Sequence, residues 1–134
     1  MAGYSGTPLP KKLGIREGDA VAFRRAPEGF AETLGPLPGG VQIKQRVAAP
    51  VDVVVAFFER RAELSRRLDA LAAAIHPDGA LWVAWPKRAS GVATDVGENA
   101  LRDVGLAAGL VDNKVCAIDD TWSGLRLVHR IENR

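Results

Sequence analysis

The stretch VDVVVAFFERRAELSRRLDALAAAIHPDGALWVAW, residues 51–85, decides the fold of this 134-residue chain. Residues 51–58 form an apolar run broken only by Asp52, which is typical of a parallel strand buried on both faces. Leucines at helical spacing then predict a helix over residues 60–75, and Pro77 ends it because the residue before a proline avoids helical geometry. Residues 80–85 read as a second buried strand, so the stretch predicts a parallel strand–helix–strand unit.

The flanking segments extend this unit in both directions. Upstream, the sequence predicts a strand at 19–25, a short helix at 28–34 and an alternating strand at 41–47. Downstream, it predicts a helix at 95–108 and two strands, 115–118 and 125–131, joined as an antiparallel hairpin. This order predicts an α/β protein: a three-layer Rossmann-like domain whose mostly parallel sheet ends in an antiparallel hairpin.

Residues 1–14 differ in composition from the rest of the chain. Glycines and prolines in this segment oppose a long regular element, whereas Tyr4, Leu9 and Leu13 are apolar enough to dock on a surface. We therefore expect an N-terminal arm over residues 1–14 and a single domain over residues 15–134.

The composition excludes several classes of protein. The net charge is only +2 and basic residues alternate with acidic ones, so we do not expect a nucleic-acid partner. A single cysteine, Cys116, rules out an internal disulfide, and no cysteine–histidine cluster suggests a metal. No apolar run approaches the ~18 residues of a membrane span and no signal peptide is evident, which predicts a cytoplasmic protein without membrane contact.

Two resemblances follow from particular motifs. Residues 52–55, the helix after them and residues 76–83 resemble the fourth strand, its helix and the fifth strand of class I S-adenosylmethionine-dependent methyltransferases. The resemblance covers residues 16–131 and implies a reduced methyltransferase-like topology, in which the strand and helix between the second and fourth strands are missing.

The second resemblance covers the whole chain. It is similar to the DUF3052 family of uncharacterised bacterial proteins, through motifs at residues 3–9, 11–15, 26–30, 85–87, 90–91, 112–116 and 121–126. That family implies no activity that could be assigned to individual residues.

The cofactor motif of the methyltransferase fold is not present. Where that fold has a glycine-rich turn after its first strand, residues 23–29 read FRRAPEG, with one glycine, a proline and two arginines. The acidic residue that would hold the ribose is replaced by VAAP at 47–50. On this ground we expect no cofactor and, in particular, no bound S-adenosylmethionine.

A ligand site is still expected beyond the carboxyl ends of the strands, as in other open α/β sheets. The residues that should converge there are Arg24, Arg25, Lys87, Arg88, Ser90 and Thr94, with Trp122 in a nearby turn. Because Thr94 or Asp95 should cap the next helix, the free N–H groups there would favour a phosphate, a carboxylate or an acidic peptide. The alternative is that these are solvated loop charges and an ordinary helix cap. No catalytic residue and no metal ligand stand out.

Three functions fit these features. The first is a non-catalytic Rossmann-like domain that binds a protein partner or a small anion. The second is a methyltransferase-like enzyme with an altered cofactor site. The third is a structural, self-associating module in which the arm docks on a neighbouring subunit as a homo-oligomer. Cys116, in a predicted strand, is expected to be a buried thiol rather than a nucleophile.

Overall fold

The computed structural model describes residues 6–46 and 49–134. Its helices are α1 (Leu9–Lys12), α2 (Phe30–Leu34), α3 (Arg61–Ala73) and α4 (Glu98–Ala107), and its strands are β1 (Ala20–Arg24), β2 (Gln42–Ile43), β3 (Val51–Phe57), β4 (Ile75–Pro86), β5 (Leu110–Ala117) and β6 (Trp122–His129). Short 3-10 turns follow β4 and β6. No helix in the described part of the chain is long and apolar enough to cross a bilayer.

The six strands form one sheet in the order β2-β1-β3-β4-β6-β5. The first four strands are parallel, and β6 is antiparallel to both β4 and β5. This arrangement confirms the predicted fold class, a mostly parallel Rossmann-like sheet closed by an antiparallel hairpin.

Both faces of the sheet are buried. Val54, Leu81 and Val83 pack on the side of α3 and α4, whereas Val55 and Trp82 pack on the side of α1 and α2. The alternation follows from the period of two along a strand, which buries both faces of β3 and β4 and explains their near-continuous apolar sequence.

Several predicted boundaries are wrong. β4 begins at Ile75 rather than at residue 80, because Val51 pairs with Ile75 and the register shifts between Val51 and Val53. The segment with Pro77 is thus the irregular start of a strand, not the end of a helix. β5 and β6 begin at Leu110 and Trp122, earlier than predicted, since each can pair along the full length of its neighbour.

The second predicted strand, 41–47, is reduced to Gln42–Ile43. It lies at the edge of the sheet and pairs with β1 only through Ala20 and Val21. From there the chain passes to β3 through residues 44–50, of which the described ones form no helix. As a result, the side of β1 that faces α3 is not covered by a crossover helix.

The second half of the predicted arm packs on the chain's own sheet. Leu13 is fully buried and Leu9 nearly so, in the cluster that contains Trp82. The indole N–H of Trp82 donates to the Leu13 backbone oxygen at 2.9 Å. For these residues the surface that the arm docks on lies within the same chain. Tyr4 lies outside the described residues, and the division at residue 14 stays a prediction.

Candidate functional site

The carboxyl ends of β1 and β3 meet at Arg25. Its Nε donates to the Phe57 backbone oxygen at 3.1 Å, and its guanidinium carbon lies 5.4 Å from the centre of the Phe58 ring. Its Nη1 and Nη2 donate to the two carboxylate oxygens of Glu63 at 2.9 and 2.8 Å. One arginine therefore connects the end of β1, the end of β3 and the first turn of α3.

The backbone of Arg25 takes a conformation that favours glycine. Its φ is 60°, and it is the one non-glycine residue in the described part of the chain with a positive φ. For an L-residue this left-handed conformation costs about 1 to 2 kcal/mol. The turn after β1 thus has the geometry that a glycine would permit, although the sequence supplies an arginine there.

An open cavity of about 600 Å³ extends from this point along β1 and α3. We call it the side cavity; it is lined by Ala22, Arg24, Arg25, Ala49, Pro50, Val54, Phe58, Arg67, Ala70, Leu71, Ala73 and Ala74. It lies along the face of β1 on the side of α3, where the described residues between β2 and β3 form no helix. Its volume is in the range of small-molecule sites.

The charged side chains that line the side cavity are all basic. Three arginines line it, and the described lining includes no acidic side chain. Arg24 is half-buried and donates to the Phe23 backbone oxygen at 3.0 Å, which leaves its remaining donors for another acceptor. The cavity therefore combines apolar walls with a cationic end, which suits a ligand that has a flat apolar part and an anionic group.

The loop after β4 does not bring its predicted site residues to the side cavity. Arg88 and Thr94 line a separate cavity of about 580 Å³ formed by residues of the 85–97 segment. The Ser90 hydroxyl donates to the Lys87 backbone oxygen at 2.6 Å. The predicted set thus divides into Arg24 and Arg25 at one cavity and Arg88 and Thr94 at another.

The predicted caps of the helix after this loop are wrong. α4 begins at Glu98 with Gly97 as its N-cap and no side-chain cap. The Thr94 hydroxyl instead donates to the Glu59 backbone oxygen at 2.7 Å, and Asp95 Oδ1 accepts from the Arg61 backbone N–H at 2.6 Å. Both side chains hold the loop to the start of α3 instead.

Trp122 lies at the start of β6, opposite Pro86. Asp119 Oδ1 accepts hydrogen bonds from the backbone N–H groups of Thr121 and Trp122, both at 2.8 Å, which sets the turn before it. The Trp122 ring packs edge-on against Phe57, with centroids 5.2 Å apart. Trp122 thus covers the end of β3 on the face of α1 and α2.

The remaining predictions about reactive groups concern the Cys116 thiol and metal ligands. Burial raises the pKa of the Cys116 thiol, while the nearby charges of Lys12 and Lys114 oppose the shift, so its reactive thiolate is suppressed. Within the described residues, no group of three or more histidine, cysteine or acidic side chains is placed to hold a metal.

Sequence reasoning missed several residues of this site, among them Glu63 and Phe58. Glu63 lies 38 positions from Arg25 in the sequence, and no motif signals their pairing. The sequence predicted that Phe58 belongs to a buried strand, whereas in the structure it follows the last residue of β3 and lines the side cavity. The one sequence signal for Glu63 and Phe58 was their position, since Phe58 lies where a predicted strand ends and Glu63 where a predicted helix begins.

Comparison with solved structures places this fold among methyltransferases. A SAM-dependent methyltransferase from Aquifex aeolicus is 15% identical, over 87% of this chain and 85% of that one, with a TM-score of 0.56. Magnesium protoporphyrin IX methyltransferase from Synechocystis PCC 6803 with bound SAM is 12% identical, over 91% and 74%, with a TM-score of 0.58. The complex of the Haloferax volcanii Trm112 methyltransferase activator with its proposed methyltransferase matches at 13% identity, over 91% and 87%, with a TM-score of 0.64.

No family model and no curated protein sequence matches the chain. The structural similarity shows a methyltransferase-like Rossmann fold.

The comparison contradicts our prediction that the chain takes no cofactor. Structures of similar fold with SAM or SAH bound are the finding that overturns it. The prediction failed because it treated the motif as the source of the site. In an open α/β sheet the crevice comes from the topology, and here Arg25 takes the left-handed turn without glycine.

Proposed function

We propose that this chain is a methyltransferase-like domain that binds S-adenosylmethionine in an altered mode, at the end of the side cavity formed by Arg24, Arg25 and Phe58. The observation that carries the proposal is a cavity of about 600 Å³ that reaches the carboxyl ends of β1 and β3 in a methyltransferase-like fold. This is the edge of an open parallel sheet at which ligands bind.

The side chains fit part of this ligand. Pro50, Ala70 and Ala73 offer exposed apolar surface for the adenine ring, and Arg24 and Arg25 offer donors for the amino-acid carboxylate. When bound, SAM would supply the methyl group. What this chain supplies is the binding surface, since no described side chain in the cavity is placed as a general base.

The altered mode follows from what the cavity does not provide. No described lining residue is acidic, so the ribose hydroxyls would have to bind to backbone groups or water. The arginines also disfavour the positive sulfonium, which should keep this group away from them. We therefore expect weaker binding than in an enzyme with the glycine turn and the ribose acid.

Calorimetric titration of the full chain with SAM tests the proposal. Arg24→Ala should weaken binding by about tenfold, the value of one charge-assisted hydrogen bond at a partly exposed site. Arg88→Ala is the matched control, because Arg88 is an arginine of the same sheet edge that lines the loop cavity instead. The absence of a heat change at millimolar SAM would overturn the proposal. So would weaker SAM binding by Arg88→Ala together with unchanged SAM binding by Arg24→Ala.

A second candidate is a non-catalytic domain that binds a small anion or an acidic protein partner. Arg24 and Arg67 favour it, since neither is in an ion pair among the described residues, whereas Arg25 is paired with Glu63. Inorganic phosphate and AMP in the same titration separate the two candidates. Binding of either anion that depends on Arg24, without binding of SAM, would support the second candidate and contradict the first.

Membership of the DUF3052 family also remains a proposal, supported by the motifs at residues 3–9 and 121–126. A cytoplasmic location and self-association are likewise predictions that await a direct measurement.

A further inference from the structure

Glu63 accepts hydrogen bonds from the two outer nitrogens of Arg25, the donors that a ligand carboxylate would need. Its carboxylate receives two parallel hydrogen bonds, at 2.9 and 2.8 Å, from the outer nitrogens of the guanidinium. This two-pronged geometry is how arginine recognises carboxylates in general. Arg25 also lines the side cavity, so the same guanidinium serves the internal pair and the cavity.

The other contacts of Arg25 do not depend on Glu63. Its Nε donates to the Phe57 backbone oxygen, its guanidinium lies over the Phe58 ring, and its backbone φ is 60°. The two outer nitrogens are therefore already fixed in direction before any ligand arrives. Such a preorganised fork loses little side-chain freedom when it exchanges one carboxylate for another.

The pair is also exposed enough to exchange. The side chains of Arg25 and Glu63 are 39% and 27% exposed, and ion pairs of this exposure contribute little to stability. Glu63 lies in the first turn of a 13-residue helix and faces water when released, so its departure leaves no buried charge.

We propose that Glu63 is an internal competitor for Arg25: a ligand carboxylate binds to both outer nitrogens of Arg25 only if it displaces Glu63. The inference rests on the proposed function, because it concerns SAM in the side cavity. It assigns to Glu63 the role of lowering the affinity for ligands that bind Arg25 through a carboxylate, relative to nucleosides that lack one. Glu63 is a specificity residue and takes no part in chemistry.

The test compares two ligands that differ in one group, SAM and decarboxylated SAM. Both are titrated into the wild-type chain, into Glu63→Gln and into Glu59→Gln. Glu59 is the matched control, because it is an exposed acid just before α3 whose side chain does not contact Arg25 among the described hydrogen bonds. Removing a charge at either position changes the local field, whereas only Glu63→Gln removes the competitor.

We expect Glu63→Gln to tighten SAM binding by about threefold to tenfold, as an exposed pair allows. Binding of decarboxylated SAM should stay unchanged or weaken, and Glu59→Gln should leave the ratio of the two ligands as in the wild type. Equal shifts for both ligands, or weaker SAM binding by Glu63→Gln, would overturn the inference.

The outcomes separate this inference from the proposed function. SAM binding by the wild type without an effect of Glu63→Gln overturns the inference alone, and no SAM binding by any variant overturns both. If Glu63→Gln does not fold, Arg25→Lys decides, since it keeps the charge but not the fork. This variant should bind SAM more weakly and bind decarboxylated SAM as the wild type does. Equal changes in the affinity for the two ligands would contradict the inference.

Discussion

Gly79 lies in β4 directly against the backbone of β3. A Cβ atom placed there would lie 2.8 Å from the Asp52 backbone oxygen and 3.1 Å from the His76 backbone oxygen. Backbone atoms cannot move aside as a flexible side chain can. The glycine therefore permits the register shift by which β4 begins beside Val51.

We expect Gly79→Ala to lower the free energy of unfolding by about 1 to 3 kcal/mol, because the strand must shift to admit the methyl group. Gly39→Ala is the control, since the nearest atom to its added Cβ is the end of the Glu17 side chain at 3.9 Å. Urea denaturation followed by tryptophan fluorescence measures both. Equal denaturation midpoints for the two variants would show that the contact is not tight.

At the scale of elements, α3 is capped from another part of the chain. Its own N-cap, Arg60, makes no side-chain cap hydrogen bond, whereas Asp95 accepts from the Arg61 backbone N–H. A negative charge at this end also suits the helix dipole. The loop after β4 is thereby fixed to α3, next to the Arg25–Glu63 pair.

Replacing Asp95 by alanine should cost about 0.5 to 2 kcal/mol of unfolding free energy, as for the loss of an N-cap. Asp103→Ala, at an exposed position of α4, removes the same charge without removing a cap. Thermal unfolding by circular dichroism compares them. If the Asp103 variant loses as much stability as the Asp95 variant, the effect is one of net charge and the cap is not important.

At the scale of the whole molecule, one buried side chain joins the N-terminal segment to the centre of the sheet. Trp82 is fully buried, and its indole N–H is bound to the Leu13 backbone oxygen over a sequence separation of 69 residues. The segment with α1 thus belongs to the core on the face of α2.

Trp82→Phe should lower the free energy of unfolding by about 2 to 4 kcal/mol, because it leaves a void and an unpaired carbonyl oxygen. Trp122→Phe, at a half-buried position, keeps an aromatic ring against Phe57 and should cost about 1 kcal/mol. Urea denaturation gives the energies. Trypsin cleavage after Lys12 should be faster in the Trp82 variant, and cleavage at the wild-type rate would contradict a role in holding the segment.

The alternation of strands and helices was predictable because it depends on local periodicity. The apolar run of β3 and the leucine spacing of α3 predict which residues are buried. Both patterns can be identified without knowing which elements pack against them. The boundaries of β4, β5 and β6 were not predictable, since they depend on which neighbour each strand pairs with. Arg24 and Arg25 were placed at the strand ends from the sequence for the same local reason.

By itself, the sequence determined the fold class, the buried strands and the arginines after β1, because these follow from residue type and short-range spacing. The tertiary structure decided the site: it paired Arg25 with Glu63, fixed Thr94 and Asp95 to the start of α3, and left the side cavity where no crossover helix lies. Each of these contacts joins residues more than 30 positions apart, and such contacts arise only when the sheet brings distant strand ends together.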